Sequence, residues 1–341
     1  MRGREFFAKA EMELKGMRPA AAIRAFERAE RSGCDADLCS AGRWTCHMLL
    51  GQFESAWQES DRIAARGRPD PNRFWDGLPV DGRSVLVRCL HGLGDTLQFV
   101  RYAPLIRPRA RRLIIQAQPP LKALLEEAQI ADEVITWDEP EPYWNQQIEI
   151  VELPRLFRTT LASVPDSVPY LDIPAMPVSR ESDGPIALRV GLVWASGSYN
   201  SARSIPLKGL AALLAIPGVR FYSLQAEPER FELQTEKMDV CDIYDQASCA
   251  LDAAKTLKSI DLLISADTMM AHLAGALACP VWTLLPFECD WRWMLGRADS
   301  PWYPTMRLFR QPQPGDWASV IASVGKELQK ATSAHEVIRA T

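Results

Sequence analysis

Residues 84–96 read SVLVRCLHGLGDT: a run dominated by Val, Leu and Cys, two glycines within three positions, then an acid and a hydroxyl residue that open a helical pattern. An apolar run without polar alternation is the mark of a parallel strand covered on both faces. A glycine turn leading straight into a helix makes the unit a βα step. The glycines permit close backbone approach to a ligand, and the helix start favours an anion or a developing negative charge. The spacing falls short of G-x-G-x-x-G, so the dinucleotide fingerprint is not met.

Outward from this unit, residues 113–118, 133–137 and 147–151 supply further short strands, with a helical stretch at 120–128. Together they predict one doubly wound α/β domain over residues 80–180. Prolines 165, 169, 174, 177 and 185 then mark a connection. Beyond it, strands at 189–194, 219–225, 240–243, 262–267 and 281–285 alternate with helical windows at 207–215, 227–237, 250–259 and 268–278. This predicts a second, mainly parallel α/β domain over 186–315. A closing helix over 316–331 is expected to pack back on the first α/β domain. Ligands of such sheets bind at the carboxyl ends of the strands, which makes the cleft between the two domains the expected active site.

Ahead of the first domain, residues 1–70 form a small helical segment, with a Pro- and Gly-rich linker at 68–82. The stretches 17–29 (MRPAAAIRAFERA) and 51–63 (GQFESAWQESDRI) are similar hairpin patterns that begin 34 residues apart, the tetratricopeptide period. Two such units cannot bury a solenoid core and must lean on the next domain. A plain helical cap fits the pattern equally well.

With 47% apolar and 24% charged residues the 341-residue chain has the balance of a packed protein, and its length suits two α/β cores plus an accessory segment. A net charge of −4 gives no electrostatic footprint for nucleic acid. The charged opening residues and the lack of a ~20-residue apolar stretch predict no secretory signal, no membrane span and a cytoplasmic location. The eight cysteines form no C-x-x-C pair and read as reduced core residues. Neither a D-x-D pair nor a histidine cluster is present, so no metal site is expected.

Three strand ends carry candidate chemistry. Asp95 is either an N-cap for the following helix or a carboxylate facing the cleft, placed to take a proton from an acceptor hydroxyl. Ser265, Asp267 and Thr268 offer hydroxyls, a carboxylate and free amides suited to sugar and phosphate. His272, four residues beyond Thr268, joins them or is a half-buried helix histidine bonded to the backbone. Arg203, on the polar loop 194–206 (WASGSYNSARSIP), neutralises a diphosphate leaving group or is a surface cation. The aromatics Trp291, Trp293, Trp302, Tyr303 and Phe309 stack on a ligand or fill an inter-domain core.

In order and context these sites resemble the ADP-heptose:lipopolysaccharide heptosyltransferase family over residues 84–330. Gly94-Asp95 is similar to that family's Gly-Asp, whose Asp is the proposed base. Residues 265–280 (SADTMMAHLAGALACP) are similar to its Asp-Thr-x-x-x-His-Leu-Ala-x-Ala-Leu signature, which faces the donor sugar and phosphates. Arg203 falls where the family usually places Lys, and Gln225 and Glu227 where it contacts the nucleotide. The resemblance implies a GT-B architecture, two Rossmann-like domains, with His91, Gly94, Gln98 and Arg101 on the acceptor side. The helical N-terminus, with Gly-Leu-Gly-Asp-Thr-Leu-Gln-Phe at 92–99 and Asp-Trp-Arg-Trp at 290–293, is similar to the bacterial tetratricopeptide-linked branch. Some related heptosyltransferases bind iron through a cysteine cluster whose spacing is absent here. The implied activity is inverting, metal-independent glycosyl transfer from a nucleotide sugar, ADP-heptose favoured, to a glycan or protein acceptor, with no cofactor. Alternatives of other classes are a non-catalytic scaffold that uses the helices to hold a protein, and a sugar-nucleotide epimerase, whose Glu and His set has no clear counterpart here.

Overall fold

The computed structural model describes residues 2–67, 69–176, 188–247 and 249–340; Pro177 and Pro185 of the expected connection lie outside them. Four helices come first, α1 (Arg2–Lys15), α2 (Pro19–Arg31), α3 (Ala36–Leu49) and α4 (Phe53–Gly67), which form the two helical hairpins anticipated. Their ends follow local chemistry. Pro19 opens α2, and the Asp35 carboxylate accepts the amides of Asp37 and Leu38 at 2.9 Å to start α3. Small residues Ala10, Ala22, Ala25 and Ala29 allow close packing around Phe26.

The first sheet holds β1 (Val80–Arg88), β2 (Ala110–Ala117), β3 (Glu133–Thr136) and β4 (Gln146–Glu149), all parallel in the order β3-β2-β1-β4. One face is covered by α5 (Leu93–Phe99) and the helix Lys122–Glu127, whose Leu97, Phe99, Leu124 and Leu125 are buried with Val85 and Val87. The doubly wound expectation holds only in part for this sheet. On its other face Leu86, Ile114 and Ile135 pack under Trp144 of the loop 137–145, not under a helix. That loop contains two prolines and is too short for a crossover helix. Arg88 ties it down, pairing with Glu141 at 2.7 Å beneath the Trp144 ring.

The second sheet has six parallel strands rather than five: β5 (Leu188–Val193), β6 (Val219–Ser223), β7 (Cys241–Asp242), β8 (Leu262–Ala266), β9 (Val281–Leu285) and β10 (Met306–Arg310). Strand β10 was not anticipated, because its five residues lie inside an aromatic-rich stretch whose pattern does not separate strand from loop. The helix expected at 227–237 contracts to Glu232–Glu236. The closing helix is Trp317–Ala340, and it does not pack on the first sheet. Its Val320, Ile321, Val324 and Leu328 cover Val190, Leu192 and Phe309 of the second sheet, an apolar face otherwise left open to water.

The order β10-β9-β8-β5-β6-β7 reverses between β5 and β8, and that of the first sheet reverses between β1 and β4. Crevices at the carboxyl ends therefore open beside residues 194–206 and Asp267 in one unit, and beside residues 89–95 and Ile150 in the other. The chain linking the units binds across both: the Tyr170 hydroxyl donates to Leu97 O at 2.8 Å, while Tyr170 N–H donates to Ala276 O at 3.1 Å and Met176 N–H to Lys255 O at 3.0 Å. One apolar core runs from Trp57 of α4 through Leu97 and Phe99 to Leu273 and Trp302. Among the described residues no helix is long and apolar enough to cross a membrane.

Candidate active site

Helix α5 begins at Leu93, with Gly92 as its N-cap, so Asp95 is the third helical residue rather than the cap itself. Its carboxylate still serves the helix end, since Oδ2 accepts Gly92 N–H at 2.8 Å. Oδ1 is ion-paired with Arg292. Gly94 is required by close approach: a Cβ there would lie 2.8 Å from Cδ2 of His272, on the facing helix Met269–Ala276.

That helix carries the second strand-end group. Thr268 is its N-cap, its hydroxyl accepting Met270 N–H at 3.2 Å and lying 3.2 Å from the Ser265 hydroxyl. Asp267 is buried, its Oδ2 without a hydrogen-bond partner, and burial pushes its carboxyl up against the opposing pull of Arg203. His272 is buried too, but its partner is the Tyr303 hydroxyl, 2.9 Å from Nδ1, not the backbone. Its ring stacks on Trp293 with centroids 5.2 Å apart. Burial, reinforced by the nearby Arg292, lowers its pKa to about 3, so the imidazole is neutral at physiological pH.

This has a measurable consequence. The ordinary histidine value is 6.5 and the folded one about 3, so the unfolded chain takes up the proton first as pH falls. Stability linked to His272 is complete above pH 6.5 and lost on acidification at about 1.4 kcal/mol per pH unit. His272→Gln, which cannot titrate, is expected to flatten the urea-unfolding free energy between pH 6.5 and 5 by roughly 2 kcal/mol relative to wild type. Parallel pH profiles would contradict the assignment.

Arg203 is not a free surface cation. It stands 3.6 Å from Asp267 and 3.6 Å from Asp290, with its side chain 27% exposed. Asp290 caps the turn Trp291–Trp293, and Arg292 within it also holds Asp290 at 2.9 Å and Gln98 Oε1 at 2.7 Å. Burial opposes ionisation of Asp290, but the charge and amide of Arg292, helped by Arg203, hold its carboxyl below the usual range. Asp95, Arg292, Asp290, Arg203 and Asp267 thus form a chain of alternating charge across the cleft.

Two adjoining cavities meet at this chain and share Gly92, Gly94, Arg203, Asp267, Thr268 and Met269. One, of about 640 Å³, opens on the second unit between Ala195, Ser196, Gln225, Glu227 and the apolar Val193, Leu224 and Ala250. Gln225 forms its wall while bracing the loop, its amide oxygen accepting Trp194 and Ala195 N–H at 3.1 and 2.9 Å. The other, of about 730 Å³, is lined by His91, Asp95, Glu152, Arg155, Trp291 and Arg292, and by Trp44, Trp57 and Ser60 of α3 and α4. The helical segment is therefore a wall of the cleft.

Three expected site residues stand behind it. Ser265 is wholly buried under Thr268. Gln98 is buried and reaches the site only through Arg292. Arg101 binds the carbonyls of Gln98, Pro165 and Trp302 and the Tyr170 hydroxyl inside an aromatic cage, so it joins the two units instead of facing an acceptor. Sequence reasoning did not single out Asp290 and Arg292 as site residues, although the alternation of charge and tryptophan over residues 290–293 was the available signal. Of the aromatics, Trp293, Trp302 and Tyr303 fill the core, while Trp291 lines the cavity. All eight cysteines are free; five are buried and Cys249 is exposed at the cavity rim. Among the described residues no group of three His, Cys, Asp or Glu side chains could hold a metal ion.

The fold is that of known glycosyltransferases. A family 9 glycosyl transferase from Veillonella parvula superposes with TM-score 0.52 at 10% identity, covering 76% of this chain and 99% of that one. The E. coli ADP-heptose lipopolysaccharide heptosyltransferase II gives TM-score 0.50 at 12% identity over 76% of this chain and 100% of that one. E. coli heptosyltransferase WaaC, solved with ADP-2-deoxy-2-fluoro heptose, gives 0.50 at 13% over 73% and 99%. No family model matches the chain. Among curated proteins, Protein FlbA of Caulobacter vibrioides is 25% identical over 354 aligned positions, covering 91% of this chain. The chain spans 58% of the length of that relative.

Proposed function

We propose that this chain is a glycosyltransferase that moves a sugar, heptose favoured, from a nucleotide sugar to a hydroxyl acceptor with inversion and without a metal ion. The observation that carries the reading is the meeting of Asp95, from one α/β unit, with Arg203, Asp267 and Thr268, from the other, where two cavities join. The 640 Å³ cavity, with its apolar floor and the Gln225–Glu227 side, suits a nucleoside. The amino end of the helix Met269–Ala276 and Arg203 suit the diphosphate. Asp95 would take the acceptor proton as the acceptor oxygen bonds to the anomeric carbon. The bond to the diphosphate oxygen breaks, and its charge falls to the arginines, which do here what a divalent cation does elsewhere.

The acceptor would enter through the 730 Å³ cavity, past Trp44, Trp57 and Ser60. We read the helices as a tetratricopeptide-like pair that presents a protein or glycan acceptor to Asp95. Thermal unfolding with ADP, GDP, UDP, ADP-heptose and UDP-N-acetylglucosamine tests the donor. A ligand at a hundred times its Kd adds about 2.7 kcal/mol, several degrees of Tm. A selective shift with the ADP species is expected. No shift with any nucleotide would favour the scaffold reading.

A further inference from the structure

We propose that Arg292 is a shared cation: without donor it covers Asp95, and on donor binding it turns to the diphosphate, freeing Asp95 only when a sugar is in place to be attacked. This rests on the donor reading above. The backbone of Arg292 is fixed, its N–H bonded to Asp290 at 3.0 Å and its carbonyl accepting Trp302 Nε1–H at 3.1 Å. Its guanidinium carries the exchangeable bonds, to Asp95, Asp290 and Gln98 Oε1, and lies over Trp291, 4.4 Å from the ring centroid, where the ring stabilises the cation whichever anion it faces.

The geometry shows where it would swing. The Asp290 carboxylate is held between the two guanidiniums, one oxygen 2.9 Å from Arg292 and the other 3.6 Å from Arg203. The two cations thus converge on one small anion, a spacing that a phosphate group also spans. Beside them the buried Asp267 carboxylate stands 3.6 Å from Arg203, and the residue borders both cavities. Three carboxyl groups, Asp95, Asp267 and Asp290, meet two guanidiniums here, that of Asp267 pushed up by burial. A diphosphate adds negative charge to this cluster and competes with its carboxylates for the two cations. Of the two carboxylates that Arg292 holds, Asp95 and Asp290, Asp95 also accepts the Gly92 amide at the end of its own helix, and its side chain is 22% exposed, so it is able to do without Arg292.

The test is a double-mutant cycle on nucleoside diphosphate affinity, measured by titration calorimetry with ADP, and with GDP and UDP if ADP does not bind. Asp95→Asn keeps the volume and removes the competitor, so ADP is expected to bind about tenfold more tightly. Arg292→Met should weaken ADP about tenfold, and adding Asp95→Asn to it should change affinity by less than about twofold. Arg292→Lys, which keeps the charge should the Met variant not fold, is expected to fall between. Unchanged affinity in Asp95→Asn, or tightening that persists without Arg292, would overturn the proposal while leaving the donor reading intact. Failure of the wild-type protein to bind any of the three nucleotides would bring down the donor reading, and the proposal with it.

Discussion

Replacing Arg101 by methionine is expected to lower the stability of the protein by about 3–5 kcal/mol, the summed cost of the interior hydrogen-bond acceptors it leaves without their donor. The side chain is 3% exposed. It donates to Gln98 O at 2.6 Å, Pro165 O at 3.2 Å and Tyr170 Oη at 3.0 Å, and also to Trp302 O. Its guanidinium lies 4.6 Å from the centroid of Tyr303 and 4.8 Å from that of Tyr170. No carboxylate is among these partners; carbonyl dipoles and ring faces do the work of a counter-ion. Methionine fills similar volume but takes the Arg101 donor from two buried carbonyls, those of Gln98 and Trp302, and from the half-buried one of Pro165, a loss of about 1–3 kcal/mol for each buried group before relaxation. Lysine would restore charge but not the fork that reaches the three carbonyls in different segments. Urea unfolding with an unchanged m-value measures the effect. A loss below about 1 kcal/mol would show that the aromatic cage closes over the gap and that Arg101 is not a tie between the units.

Arg101 also illustrates what the sequence could and could not convey. Regular alternation of apolar strands with helical windows made the two α/β units legible, since burial on both faces of a parallel sheet writes a near-continuous apolar run. The strand-end residues were legible for the same reason: in such a fold, polar groups directly after a strand face the crevice. Asp95, Asp267, Thr268 and Arg203 do line it. Arg101 and Gln98 failed because α5 is only seven residues long, followed by a tight turn, so one turn beyond Asp95 the chain already points into the core. No periodicity rule reports where a short helix stops facing a cavity.

The missed elements share one cause. Strand β10 and the Asp290–Arg292 pair both lie among aromatic residues, which satisfy strand, loop and core patterns alike. The contact of Trp44 with Trp291, ring centroids 5.0 Å apart, joins residues far apart in sequence and brings the helical segment to the cleft; local pattern holds no record of it. The closing helix was misplaced because amphipathicity tells which of its faces is buried but not against which sheet.

Asp95→Asn is expected to cut turnover by about 10²–10⁴-fold, the range for loss of a general base, while the protein stays folded. The two uses of this side chain predict different outcomes, which gives the substitution its value. As a structural group, Asp95 accepts Gly92 N–H and pairs with Arg292; asparagine keeps an oxygen for the amide but loses the ion pair, so a purely structural role predicts a stability loss of about 1–3 kcal/mol and nearly full activity. As a base it needs a free electron pair of anionic character, which the amide lacks. Turnover is followed as release of nucleoside diphosphate from whichever sugar nucleotide binds, with water or an added hydroxyl compound as acceptor, because the same carboxylate would deprotonate either. The neighbours do not offer an easy substitute. His272 is buried and bonded to Tyr303, and Asp267 and Asp290 are drawn to Arg203 on the side of the second unit. Near wild-type release by the Asn variant would therefore remove the base from the first α/β unit altogether and reduce Asp95 to the end of a helix.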